Sequence, residues 1–321
     1  MPQKILRAAI LFLVITVLVS GCATKNPSTE DNADKLEKSQ AAKPGDGTPV
    51  RVGSQGYAEV EILAEMVKAM IEERTNHPVE HIKNLGGEFL TQKATVKGDL
   101  DFFLTFTGTQ FLGTFQQKVT PEWRDPDKVW QYVHDHMLTD FGLHTFPAFG
   151  YDNIWAMAVR RETAEKLNLK KISDLKAQAG EMLLGTDPTF PDYPGQGYKE
   201  LCATYDFKFK KVVPMDLGLL YRALKNAEVD AAVVYSTDGR NKATDLVLLE
   251  DDQGFNPPYY SITAARRDFL DKYPEIEEAV KPLGGIITDV DMIDLNAKVD
   301  VEQQDAAKVA REFLRAKGLI K

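Results

Sequence analysis

The sequence predicts an α/β protein built as two lobes. Three observations carry this. From Val50 onward, short apolar runs of strand length alternate with stretches of helical period. The alternation starts afresh after about residue 160. One segment also occurs in two related copies, at 98–109 and at 227–240. In each copy an acidic residue and one apolar residue precede an Asp, Asp101 or Asp230. An apolar run follows, and an aromatic stands five positions after that Asp, Phe106 or Tyr235. Small hydroxyl and glycine residues come next, of the kind that open a helix. Each half therefore carries a buried strand that ends in an aromatic and feeds a helix start.

The elements follow in order. Residues 50–54 read as the first strand. Tyr57 to Arg74 places Ile62, Leu63, Met66, Val67, Met70 and Ile71 at helical spacing. A strand at 79–83 precedes a helix opened by Gly86-Gly87 and closed near Gly98. The first copied segment comes next. Pro126 to Phe141 is amphipathic, with Val129, Trp130, Val133 and Met137 on one face. Residues 146–160 are extended. In the second half, helices near 162–168 and 172–178 precede a strand at 182–186. A helix near 195–204 precedes a strand at 211–214, and a helix at 217–227 leads into the second copied segment. A strand at 245–250 follows. From Pro257 the chain reads as mostly helical, ending on 306–317. The chain is expected to cross between lobes near 150–155 and 252–258. That gives 49–151 plus 258–321 as one lobe and 152–257 as the other. Ligands of open α/β sheets sit at the C-terminal strand ends, so the expected cleft lies between the lobes.

The N-terminus reads as an address. Lys4 and Arg7 precede an apolar stretch from Ala8 to Val19, too short for a membrane span. Val19-Ser20-Gly21-Cys22 has the form of a bacterial lipobox, which makes 1–21 a signal peptide and Cys22 the lipidated residue. Residues 22–48 are polar and read as a disordered tether. The implied location is extracytoplasmic and membrane-anchored, at the cell surface or in the periplasm. The only other cysteine, Cys202, is expected to be a small buried residue. Formal charge is −9, and loss of Lys4 and Arg7 lowers it to −11, which argues against a nucleic-acid partner.

No motif points to catalysis, a metal or a cofactor. His77-Pro-Val-Glu-His81 has the letters of a zinc-peptidase motif, but Pro78 and Val79 lead into a strand. Along a strand the two rings would lie roughly 13 Å apart. His134-Asp-His136 sits on the amphipathic helix, where positions i and i+2 diverge, and reads as a solvated face. His144 has no evident partner. The aromatics differ: Phe106 and Tyr235 end the copied strands, while Trp155 and Tyr259 lie at the crossovers. Rings gathered around one cleft can hold a quaternary ammonium, which offers no N–H to a hydrogen bond.

From about residue 50 to the C-terminus the chain resembles the substrate-binding lipoproteins of osmoprotectant ABC transporters. The resemblance rests on Gly53-Ser-Gln55, Asn84-Leu-Gly-Gly87, Phe106-Thr-Gly-Thr109, Gly150-Tyr-Asp-Asn-Ile-Trp155, Met215-Asp-Leu-Gly-Leu-Leu-Tyr221, Tyr235-Ser-Thr-Asp-Gly-Arg240, Glu250-Asp-Asp252, Pro257-Pro-Tyr259 and Asp294-Leu-Asn-Ala-Lys-Val-Asp300. It implies a two-lobed periplasmic-binding-protein fold, type II-like, closing on glycine betaine, carnitine, choline or a related betaine, with no enzymatic activity. It implies a cation box of Phe106, Trp155, Tyr235 and Tyr259, two of which depart from the family's usual Tyr. Gln55, Thr109 and Asn153 map to the carboxylate side, and the Thr at 109 favours a zwitterion over choline. Asp238 and Arg240 are expected to hold the crossover. Tyr193 either lines the pocket or packs. The implied partners are an ABC permease and its ATPase, with the membrane reached through the lipid. The same fold holding a bulkier betaine or a non-quaternary amine, a surface lipoprotein that signals, and an enzyme on this fold are the alternatives.

Overall fold

A computed structural model describes residues 43–321 except Pro194. The expected signal peptide, Cys22 and the expected tether as far as residue 42 lie outside the described residues. Residues 43–48, which the sequence places in the tether, are bonded to the fold: the Asn76 amide donates to the Lys43 carbonyl, and a ring nitrogen of His77 meets the Thr48 carbonyl at 2.8 Å.

The strands are β1 (Val50–Gly53), β2 (Val79–Ile82), β3 (Phe102–Phe106), β4 (Leu143–Thr145), β5 (Trp155–Arg160), β6 (Leu183–Thr186), β7 (Lys211–Pro214), β8 (Ala231–Tyr235), β9 (Leu246–Leu249) and β10 (Ser261–Arg266). They form two five-stranded sheets, β2-β1-β3-β10-β4 and β7-β6-β8-β5-β9. The sheets have one plan. Three parallel strands are followed by an antiparallel fourth, to which the fifth is antiparallel again.

Helices cover both faces of each sheet, so the central strands are apolar throughout rather than alternating. Every residue of β3 is buried, as are Ala231 to Val234 of β8. The helices that position the site are α1 (Ala58–Arg74), α2 (Glu88–Lys97), α3 (Pro126–Phe141), α4 (Leu217–Lys225), α5 (Asp289–Asp300) and α6 (Ala306–Ala316). All six apolar residues that the period assigns to α1 are buried. They join α5 and α6 in the core on one face of the first sheet, and α3 covers the other face through Val129, Val133 and Met137. Asp125 caps α3 by accepting from the Asp127 and Lys128 N–H groups, Pro126 fits its first turn, and Gly142 ends it in the left-handed region.

The chain leaves the first sheet after β4, enters the second at β5, and returns from β9 to β10. The two connecting segments pair with each other: Asp152 and Tyr260 form an antiparallel bridge, and the Asn153 N–H donates to the Tyr259 carbonyl at 3.1 Å. Gly150 turns the first connection at φ +117°, with the Ile287 carbonyl 2.7 Å from where a Cβ would stand. No larger residue fits that turn.

Four expectations are corrected. The stretch after Pro257 is not helical at its start, because β10 lies between β3 and β4. The helix expected at 172–178 is a 3-10 turn over Ile172–Ala177. Cys202 is half-buried, and burial raises its thiol pKa. His134 and His136 are half-buried rather than solvated, stacked on Trp130 and Tyr132 at centroid distances of 4.9 and 3.9 Å.

Candidate functional site

The C-terminal ends of β3 and β8 open into one cavity of about 620 Å³. Phe106 and Tyr235 stand at those ends. Trp155, the first residue of β5, is the register partner of Tyr235, and Ser261 of β10 is the partner of Phe106. Tyr259 lies just before β10. All four aromatics line the cavity, as do Thr109 and Asn153. Gln55 is not among the lining residues. It is 8% exposed, and its amide donates to the Thr91 hydroxyl at 3.4 Å.

Backbone bonds fix the ring of Tyr259 in place. The Asp152 carboxylate accepts from the Tyr259 N–H at 2.7 Å. The Thr107 N–H donates to the Tyr260 carbonyl, and the Thr107 hydroxyl donates to the Pro258 carbonyl while accepting from the Tyr260 N–H. Gly108 then lies flat against the Tyr259 ring: a Cβ there would stand 2.3 Å from ring carbons. The absence of a side chain at 108 is what lets the ring reach the cavity. Burial pushes the Asp152 carboxyl up to about 6, opposed by the Tyr259 N–H.

Tyr193 lines the same wall and also packs. Its ring meets Trp155 edge-on, with centroids 4.8 Å apart, and Phe190 meets the indole from another side at 5.0 Å. The indole is thereby clamped, and its N–H is buried without a partner. Burial pushes the Tyr235 hydroxyl up to about 12. The phenol is neutral across the physiological range.

Three carboxylates at the cavity lie outside the expected set, Glu59, Glu88 and Asp300, and the first two are bonded into its wall. Glu59, in the first turn of α1, is 4% exposed and fully met: one oxygen accepts from Tyr151 and Asn153, the other from Thr237 and Asn296. It ties α1 to the first chain crossing, to the turn after β8 and to α5. Its bond to Asn153 leaves that side chain's Oδ1 as a buried acceptor without a partner. Glu88 opens α2 and is half-buried. Its Oε1 accepts from the Phe106 N–H at 3.3 Å and from the Gln110 amide at 3.5 Å. Burial pushes its carboxyl up to about 8, against the pull of Phe106, Thr109 and Gln110 toward the charged form. An acidic residue in the first helical turn after a strand end is the signal that would have pointed to both.

At the cavity Arg240 and Asp238 close on each other. Arg240 donates to both oxygens of Asp238, and its guanidinium lies over the Tyr221 ring at 4.7 Å. Asp300 faces that pair, its carboxyl raised by burial. The histidines of the zinc-like motif have separate partners. His77 is bonded to Thr48 and Glu275, and His81 to Ser54 and Glu65. His144 has its own neighbours, with Glu277 at 4.0 Å and Phe146 edge-on. Among the described residues there is no cluster of His, Cys, Asp and Glu placed to hold a metal ion, and no helix long and apolar enough to cross a membrane.

Comparison with known proteins gives a consistent result. The family described as the substrate binding domain of ABC-type glycine betaine transport systems matches residues 48–316. The carnitine transport binding protein OpuCC of Listeria monocytogenes is 35% identical over 267 residues, covering 83% of this chain and 86% of that one. The ergothioneine transport permease/ergothioneine binding protein EgtU of Helicobacter pylori is 28% identical over 84% of this chain, which spans 48% of its length. A crystal structure of a glycine betaine/carnitine/choline ABC transporter protein superposes with a TM-score of 0.77 at 31% identity, covering 85% of this chain and all of the other. The fold is that of the two-lobed periplasmic binding proteins, and these relatives are substrate-binding proteins of transporters, not enzymes.

Proposed function

The chain belongs to the substrate-binding-domain family of ABC-type glycine betaine transport systems, and on that premise we propose that its cavity captures a quaternary-ammonium compound through an aromatic box. The observation that carries this reading is the convergence of Phe106, Trp155, Tyr235 and Tyr259, from both sheets and both crossings, on one cavity. A trimethylammonium head attracts π-faces by about 0.5–2 kcal/mol each once water is excluded. Thr109 and nearby backbone N–H groups serve the anionic end, and Asn153 and Gln55 support the wall behind it. The lobes are bounded near 151/152 and 257/258, and closure around the ligand presents the complex to an ABC permease and its ATPase. Titration calorimetry with glycine betaine and carnitine tests this. Binding is expected, and Trp155→Ala is expected to weaken it about tenfold or more. Absence of binding by any quaternary amine, or an unaltered Trp155→Ala affinity, rejects the box.

Two features favour a bulkier betaine as a second reading. The cavity lies within the ~300–1,000 Å³ range of pockets for drug-sized ligands, larger than a compact betaine fills. Tyr193 extends the wall beyond Trp155, and one relative is described as an ergothioneine binding protein. Competition calorimetry decides: displacement of glycine betaine by ergothioneine at lower concentration selects the second reading.

We further propose lipid anchoring through Cys22, motivated by Val19-Ser20-Gly21-Cys22. Cys22→Ser is expected to move the protein from the membrane fraction to the soluble one. An unchanged distribution refutes the anchor.

A further inference from the structure

Among the described residues, an anionic group entering this cavity meets no free cation. Arg240 is the one basic side chain among the lining residues, and Asp238 occupies its fork. Four acidic side chains line the same space: Glu59, Glu88, Asp238 and Asp300. Glu59 has its four donors, Asp238 has Arg240, and Asp300 is exposed and faces that same pair. Glu88 differs. Its hydrogen bonds from Phe106 and Gln110 both end on Oε1, and among the described residues Oε2 is left on the cavity side with the Thr109 hydroxyl as its polar neighbour. A carboxyl with one oxygen committed to the protein and the other open to the ligand space can work in either protonation state. As an acid it donates one O–H. As a carboxylate it only accepts, and it repels a second carboxylate.

We propose that Glu88 sets the charge type of the ligand: as an acid it donates from Oε2 to the anionic end of a zwitterion, and as a carboxylate it favours a ligand that carries only the cation. This rests on the reading of the cavity as a quaternary-ammonium site. The surroundings permit the exchange. Strand β3 and the turn through Thr114 contain no titratable side chain. The titratable groups that feel the charge of Glu88 are the phenols of Tyr57, Tyr193 and Tyr259, each raised by burial. On its own helix Lys93 is exposed and Lys97 lies in the last turn; on β10, Arg266 pairs with Asp268 at the far end of the strand. In the loop before α2, Lys83 faces Glu61 and Glu65. With the carboxyl near 8, the acid dominates at pH 7 and the carboxylate at pH 9.

Calorimetry of the full chain with glycine betaine and with choline, from pH 7 to 9 and so above the titration of Asp152, tests this. Neither ligand titrates in that range. The dissociation constant for glycine betaine is expected to rise about tenfold from pH 7 to pH 9, and that for choline to fall by about the same factor. In Glu88→Gln, which keeps a neutral donor, both profiles become flat. Binding by the unmodified protein with no pH slope, a slope that survives in Glu88→Gln, or two ligands moving in the same direction each overturn the role of Glu88 alone. If neither ligand binds at any pH, the quaternary-ammonium reading falls and this inference falls with it.

Discussion

Asp101 and Asp230 occupy the same point of the two copied strands and do the same thing with different strength. Each donates its N–H to the carbonyl of the neighbouring parallel strand, at Arg51 or Leu183, and each side chain accepts that residue's N–H in return. Asp101 is buried and also takes two bonds from the Arg51 guanidinium. The side chain of Asp230 is 36% exposed, with Arg160 at 3.9 Å. The copies part further beyond their aromatics. In the first, Thr107 knits the turn to the Pro258–Tyr260 crossing, which leaves Thr109 and Glu88 facing the cavity. In the second, Asn241 binds the carbonyls of Tyr235 and Ser236, Asp238 closes on Arg240, and Thr237 reaches across to Glu59. One scaffold thus supplies open polar groups in the first sheet and closed ones in the second, while both supply a ring.

The join between the copies gives the largest expected effect. Glu59→Ala leaves Tyr151, Asn153, Thr237 and Asn296 without their acceptor. A loss of about 4 kcal/mol in chemical denaturation is expected, and a loss below 1 kcal/mol would show that the four bonds are incidental. The two aspartates come next. Asp101→Ala is expected to cost about 3 kcal/mol and Asp230→Ala about 1 kcal/mol, because only Asp101 is itself buried and only it holds a guanidinium by two bonds. Equal losses would make the copies equivalent. Smallest in binding is the contrast between the rings: Phe106→Ala and Tyr235→Ala are each expected to weaken quaternary-amine binding by about 0.5–2 kcal/mol, and Phe106→Ala, which also empties a core position, to lower the melting temperature as well. A ring whose removal leaves calorimetric affinity untouched is packing and no part of the box.

Much of this was legible in the chain because local pattern and tertiary role agree. The copied strands are apolar on both faces, as a strand between two helical layers must be. The six apolar residues of α1 keep their period because one face meets a single core. Strand β10 was not legible. Ser261-Ile-Thr-Ala-Ala-Arg266 contains few strong strand formers, follows two prolines and leads into a helix. Only pairing with β3 and β4 makes it a strand. Glu88 was illegible for a related reason. At the start of a helix a Glu is an ordinary, exposed, helix-favouring residue. Its altered acidity comes from burial, opposed by Phe106, Thr109 and Gln110, which lie about 20 residues further along the chain and approach only in the fold. Gln55 shows the converse, a position read as ligand-facing that lies beneath the wall on Thr91.

The clamped indole of Trp155 also gives the molecule an optical signal of its own. The chain has three tryptophans. Trp123 packs among Phe111 and Tyr132, and Trp130 donates to the Phe146 carbonyl, both on the α3 side of the first sheet. Neither lines the cavity. Two emitters therefore hold a steady background while the third, wedged between Tyr193 and Phe190, stands where a ligand cation would arrive, so occupancy can be followed by light without a label.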